Sequence, residues 1–124
     1  VDPAVSGRPY RTSWLASYRD EEAARTEPWN CLARYHERGE MQLIEVDDTE
    51  WVSEPVFAPR ASRSGEGDGY VLSLVRDRRT GASAVVVLDA ARPGDGPVAR
   101  AHFDHPMPPT LHGAWVAGGG PGTP

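Results

Sequence analysis

The stretch YVLSLVRDRRTGASAVVVLDA, from Tyr70 to Ala90, decides the fold. YVLSLVRD (Tyr70 to Asp77) and SAVVVLDA (Ser83 to Ala90) are short apolar segments rich in β-branched residues, which pack well on a pleated sheet and restrict a helix. Between them, DRRTG places Gly81 where a bulged hairpin needs a positive φ. The pair therefore reads as two antiparallel strands.

The same punctuation runs outward in both directions. Downstream, VARAHF (Val98 to Phe103) reads as a strand after the turn ARPGDGP. Upstream, EPVFAPR (Glu54 to Arg60) is a strand containing two prolines, and SRSGEGDG (Ser62 to Gly69) is a loop by composition. RTSWLASY (Arg11 to Tyr18), WNCLARYH (Trp29 to His36) and EMQLIEV (Glu40 to Val46) supply three more strands, the last two joined through Gly39. RDEEAARTE (Arg19 to Glu27) suits an exposed loop or one helical turn. LHGAWV closes the ordered part, and AGGGPGTP (117 to 124) is expected to be a disordered tail.

The expected fold class is all-β, an antiparallel meander of seven or eight short strands with almost no helix. Turn signals recur about every ten residues, a spacing that suits a sandwich, a barrel or propeller blades. Glu54 to Phe103 offers four successive strands, one blade's worth, and the segment before it offers three. Without a repeat between them, pattern alone does not choose among these architectures.

Composition narrows the function. The 124 residues suit one small domain, and 13 Gly with 12 Pro disfavour long helices. A formal net charge of -5 argues against a nucleic-acid partner, since phosphate binding needs clustered cations. The single cysteine, Cys31, cannot form an internal disulfide, and its apolar neighbours mark it as a buried inert thiol. No apolar run reaches the ~20 residues of a membrane helix. The expectation is a soluble, cytoplasmic chain, with peripheral contact to a membrane left open.

Four histidines could carry chemistry. His36 falls at a hairpin tip. His102 and His105 form an H-x-x-H pair at a strand end before Pro106, where Asp104 offers solvation instead. His112 is stiffened by Pro108 and Pro109 and followed by Gly113, whose missing side chain permits close approach of a ligand or another segment. On the residues alone, a satisfied core histidine and a ligand both remain open. Glu54, at the start of an apolar strand, needs solvent or a donor such as an imidazole N–H. Glu66 and Asp68 are acidic loop residues that read as a cation site or a solvated turn. No Ser-His-Asp arrangement, phosphate loop or cysteine-based zinc spacing is present.

Taken in order, SEPVFAPR, EGDGYVLSLVRD, SAVVVLDA, PVARAHF and PPTLHGAWV, with GRPYR upstream, resemble the C-terminal end of the carotenoid cleavage dioxygenases, the carotenoid oxygenase family. The resemblance implies a seven-bladed β-propeller, of which residues 1–116 would be the last blades, an incomplete domain needing the upstream blades. It implies Fe(II) on the propeller axis, held by four histidines from different blades and backed by glutamates. It also implies cleavage of a conjugated double bond in a polyene or stilbene substrate by dioxygen. By position, His112 matches the last iron ligand and Glu54 a glutamate that hydrogen-bonds such a ligand from behind. Glu66 to Gly69 match an acidic turn in which Gly67 replaces an aspartate, and Leu111 stands where phenylalanine is common. His36, His102 and His105 match none of the ligand motifs. One ligand cannot hold iron, so the chain alone is expected to be inactive. The alternative is a non-catalytic β-rich interaction module.

Overall fold

The protein is described by a computed structural model over residues 1–118. The expected disordered tail at 117–124 lies outside these residues apart from Ala117 and Gly118.

The described residues form eight strands: β1 (Thr12–Ser17), β2 (Cys31–His36), β3 (Met41–Ile44), β4 (Glu50–Val52), β5 (Val56–Pro59), β6 (Gly69–Asp77), β7 (Ser83–Asp89) and β8 (Pro97–His102). The one α-helix among the described residues, α1 (Ala23–Thr26), is a single turn within the acidic segment expected to be loop or helical turn. Every strand pairing is antiparallel. β1, β2 and β3 form one sheet in chain order; β4, β6, β7 and β8 form the second, with β5 also on β6. The all-β antiparallel reading therefore holds.

Two expectations are corrected. Glu50–Val52 is a strand that the sequence reading passed over, because three residues after DDT are too few to show alternation. The closing segment LHGAWV forms no regular structure and is largely exposed, with Leu111 at 69% and Val116 at 78%. It runs as an irregular strap.

Strand alternation sets the core. Trp14, Leu32 and Ile44 of the first sheet join Val52, Phe57, Val71, Val75, Val86 and Leu88 of the second in one continuous cluster. Leu32, Val71, Val86 and Leu88 are fully buried, and each contributes roughly 1.5–3 kcal/mol relative to exposure. The opposite side of the first sheet remains open. Leu15 faces Ala33, which faces Leu43, and Tyr35 faces Met41. Leu15, Tyr35, Met41 and Leu43 are all more than 40% exposed, a contiguous apolar row beside the unpaired edge of β3.

Turn chemistry is local. Gly39 and Gly81 take φ of +84° and +75° at the two hairpin ends. At the β6–β7 tip, Asp77 Oδ1 accepts the backbone N–H groups of Arg79 and Thr80, each at 2.8 Å. These donors, Thr80 first, hold the Asp77 carboxyl down to about 2. A depressed folded-state value stabilises the fold above the ordinary carboxylate range, and the benefit is lost as pH falls. Urea midpoints of the native chain are therefore expected to drop between pH 3.8 and about 2, and those of Asp77→Asn to drop less over the same window. Parallel curves would refute the assignment.

Candidate functional site

The inner edge of the second sheet is one strand broken in the middle. Val52 faces Val75, but Val56 faces Leu72, so four steps along the edge span three steps of β6. One extra residue is thus inserted across Ser53, Glu54 and Pro55, which is a β-bulge. Pro55 has no N–H and cannot join the ladder. The insertion exchanges faces: Val52 points into the core, whereas Val56 pairs on the opposite side and Phe57 returns to the core. Glu54, at the insertion, is released from the alternation that governs its neighbours.

The strap delivers His112 to this point. Beyond β8, Met107 N–H donates to Ser83 Oγ at 3.1 Å, and the chain crosses toward β5. Glu54 Oε2 lies 3.1 Å from His112 Nδ1 and accepts the Gly113 N–H at 3.2 Å. A Cβ on Gly113 would sit 3.0 Å from Val56 Cγ2, so the close approach expected at this glycine is to another segment of the chain. An ionised carboxylate only accepts, so it selects the tautomer with hydrogen on Nδ1. That leaves the Nε2 lone pair available on the far side of the ring. The pair is open to solvent, with side-chain exposures of 88% and 42%, and as an ion pair it adds little stability. Its arrangement fits a ligand histidine oriented from behind by a carboxylate.

The other sequence candidates are placed elsewhere. His36 ends β2, and its Nδ1 accepts the Arg38 N–H at 3.3 Å within the turn. His105 Nδ1 lies 2.5 Å from Asp104, and both side chains are exposed. His102 is an exposed residue at the end of β8 opposite Ala84. Glu66 Oε1 accepts the Arg11 and Thr12 N–H groups at 2.6 and 3.2 Å. Asp68 is engaged by Arg60 and Ser64. The acidic turn is therefore a structural tie, with both carboxylates already satisfied. Buried Asp2, bound by Arg63 at 2.7 Å and by the Gly67 N–H, fastens the amino terminus to the same loop. Cys31 is fully buried, and burial pushes its thiol up, away from the reactive thiolate. Among the described residues, no group of three or more His, Cys, Asp or Glu side chains could hold a metal.

Beside the bulge, an apolar cleft of about 280 Å³ opens between the inner edge and the strap, walled by Trp29, Trp51, Leu74, Met107, Pro108 and Leu111. The sequence reading missed this cleft and also Ser73, whose hydroxyl sits under the bulge. A lone serine in the run Val71, Ser73, Val75 is the signal that could have found it.

Residues 1–117 match the retinal pigment epithelial membrane protein family, and the chain belongs to that family of carotenoid cleavage oxygenases. Among curated relatives, it is 34% identical to a lignostilbene-alpha,beta-dioxygenase isozyme III of Sphingomonas paucimobilis, over 94% of this chain and 25% of that one. It is 28% identical to an apocarotenoid-15,15'-oxygenase of Synechocystis, over 94% of this chain and 24% of that one. Its fold superposes on a cobalt-substituted form of the Synechocystis enzyme with a TM-score of 0.78 at 28% identity, covering 89% of this chain and 23% of that one. On a lignostilbene dioxygenase from Pseudomonas brassicacearum the TM-score is 0.77 at 31% identity, covering 90% and 25%. The chain thus spans about a quarter of the length of the relatives it matches. Its two sheets match part of the propeller in these oxygenases.

Proposed function

We propose that this chain is the C-terminal portion of an Fe(II)-dependent oxygenase that cleaves a conjugated carbon–carbon double bond. The 3.1 Å contact between His112 Nδ1 and Glu54 carries the reading. In it His112 is the one iron ligand supplied by residues 1–116, through Nε2, and Glu54 fixes its tautomer and raises its basicity. Imidazole nitrogen suits iron, and a carboxylate behind the ring compensates the charge that neutral ligands leave. The remaining ligands come from upstream blades, which also cover the open apolar row on the first sheet. When bound, iron(II) supplies open positions at which dioxygen is brought to the double bond. Overall, the substrate C=C and the O=O bond break and two C=O bonds form, one oxygen atom going to each product. This chain's own contribution is to bind, orient and exclude water: the strap holds the imidazole at the bulge, and the indoles and prolines of the cleft keep the neighbouring space apolar. A substrate among aryl alkenes and polyenes is supported by relatives named for lignostilbene, isoeugenol, resveratrol and apocarotenoid cleavage or oxidation.

Glu54→Ala in the full-length protein tests this reading. Iron affinity, measured by competition with a chelator, is expected to fall about 10–100-fold, the range for losing a partner behind a metal ligand. Glu54 is partly exposed, so the thermal midpoint should barely move. Unchanged iron affinity would remove Glu54 and, with it, the argument for the site.

A further inference from the structure

Ser73 is the one polar side chain on the buried face of β6, between Val71 and Val75, and it is only 2% exposed. A hydroxyl so deeply buried requires a partner. Its nearer acceptor is the Ser53 carbonyl, at 2.9 Å, with the Leu74 carbonyl, already bonded to the Ser53 N–H, farther off at 3.3 Å. The bulge explains the need. Ser53 N–H still donates to the Leu74 carbonyl at 2.8 Å, but the inserted residue and the proline that follow leave the Ser53 carbonyl without a ladder donor. We propose that Ser73 is a positioning residue: its hydroxyl latches the Ser53 carbonyl, fixes the bulge, and so aims Glu54 at His112 and Gly113. This deepens the proposed function, since it concerns how the imidazole is held, yet its geometry is independent of metal.

The reach of the latch is one residue. Ser53 precedes Glu54 directly, and Pro55 stiffens the other side through its fixed φ. If the hydroxyl is removed, a buried carbonyl is left unsatisfied. The chain can relieve this by flattening or rotating the bulge, which carries the Glu54 side chain away from the strap.

Amide exchange at Gly113 in the full-length protein reads the latch, because the Gly113 N–H is donated to Glu54 and to no ladder. Ser73→Thr and Ser73→Val have the same shape and differ only in the hydroxyl. Exchange at Gly113 is expected to stay near native in Ser73→Thr and to quicken about tenfold in Ser73→Val, the size of one lost hydrogen bond. Amides of Val86 and Leu88 report whether the sheet is intact. Nitrogen shifts of the His112 ring should show the Nδ1–H tautomer depleted in Ser73→Val alone. If neither substitution folds, Ser73→Ala against the native chain gives the same comparison, with quickening at Gly113 expected. Glu54→Ala calibrates the readout by abolishing the protection outright. Equal Gly113 exchange in the Thr and Val variants, or native exchange in Ser73→Ala, overturns the latch and leaves the iron reading untouched. Retention of iron by full-length Glu54→Ala overturns the iron reading and leaves the latch untouched.

Discussion

Full-length protein carrying His112→Ala is expected to lose bound iron by more than the 10–100-fold that typifies removal of an outer partner, because the substitution deletes the proposed ligand atom itself. Double-bond cleavage should disappear with the iron. The loss has to be separable from unfolding, and the structure provides the separation. The His112 side chain is 88% exposed and belongs to an irregular strap. Truncating it leaves no core cavity, so stability should change by no more than about 0.5 kcal/mol. Iron quantified per chain, beside a thermal melt, decides the matter. Iron equally abundant in the alanine protein at an unchanged melting temperature would remove His112 from the metal site.

The second large effect concerns the core. Arg100 on β8 reaches Glu50 on β4 with both guanidinium nitrogens, one pair at 3.1 Å. Glu50 is 8% exposed, and its charge is balanced by this arginine. The hydrogen bond that Arg100 donates to Glu50 raises the Arg100 pKa above its ordinary value. Arg100→Ala strands a buried carboxylate and is expected to cost about 3–5 kcal/mol in urea unfolding. Replacing both partners together, Glu50→Leu with Arg100→Met, should recover most of that loss, because no charge is then left unpaired. A double variant as unstable as the single one would show that packing of the arginine stem, rather than the orphaned charge, sets the cost.

Much of this fold was legible because it is written in local alternation. Tyr70 to Ala90 and Trp29 to Val46 carry β-branched runs and turn glycines that need no tertiary information. The Glu54–His112 partnership was also legible, although the residues lie 58 positions apart, because the family resemblance carried both. What stayed hidden depends on pairing. Glu50–Val52 is recognisable as a strand only once β6 offers it Val75 to Asp77. The bulge is a property of register between two strands, and no single strand contains it. The strap reads like a strand in its apolar residues, yet Pro106, Pro108 and Pro109 interrupt any ladder it could join. The acidic turn reads first as a solvated loop and second as a cation site, and neither reading shows the amino-terminal segment that occupies Glu66.

The bulge also sets how much this chain can vary in length. It acts as a phase shift: before it, even-numbered edge residues look inward, and after it, odd-numbered ones do. Losing one residue between Val52 and Val56 would remove the bulge yet leave Val56 opposite Leu72 and Phe57 opposite Val71, so the core would stay in phase while Glu54 fell back into strict alternation. Gaining one elsewhere in β4 or β5 would instead turn the residues on one side of it to the wrong face unless a second bulge absorbed it. The length of this segment is therefore constrained by where the carboxylate must stand and not by the packing behind it.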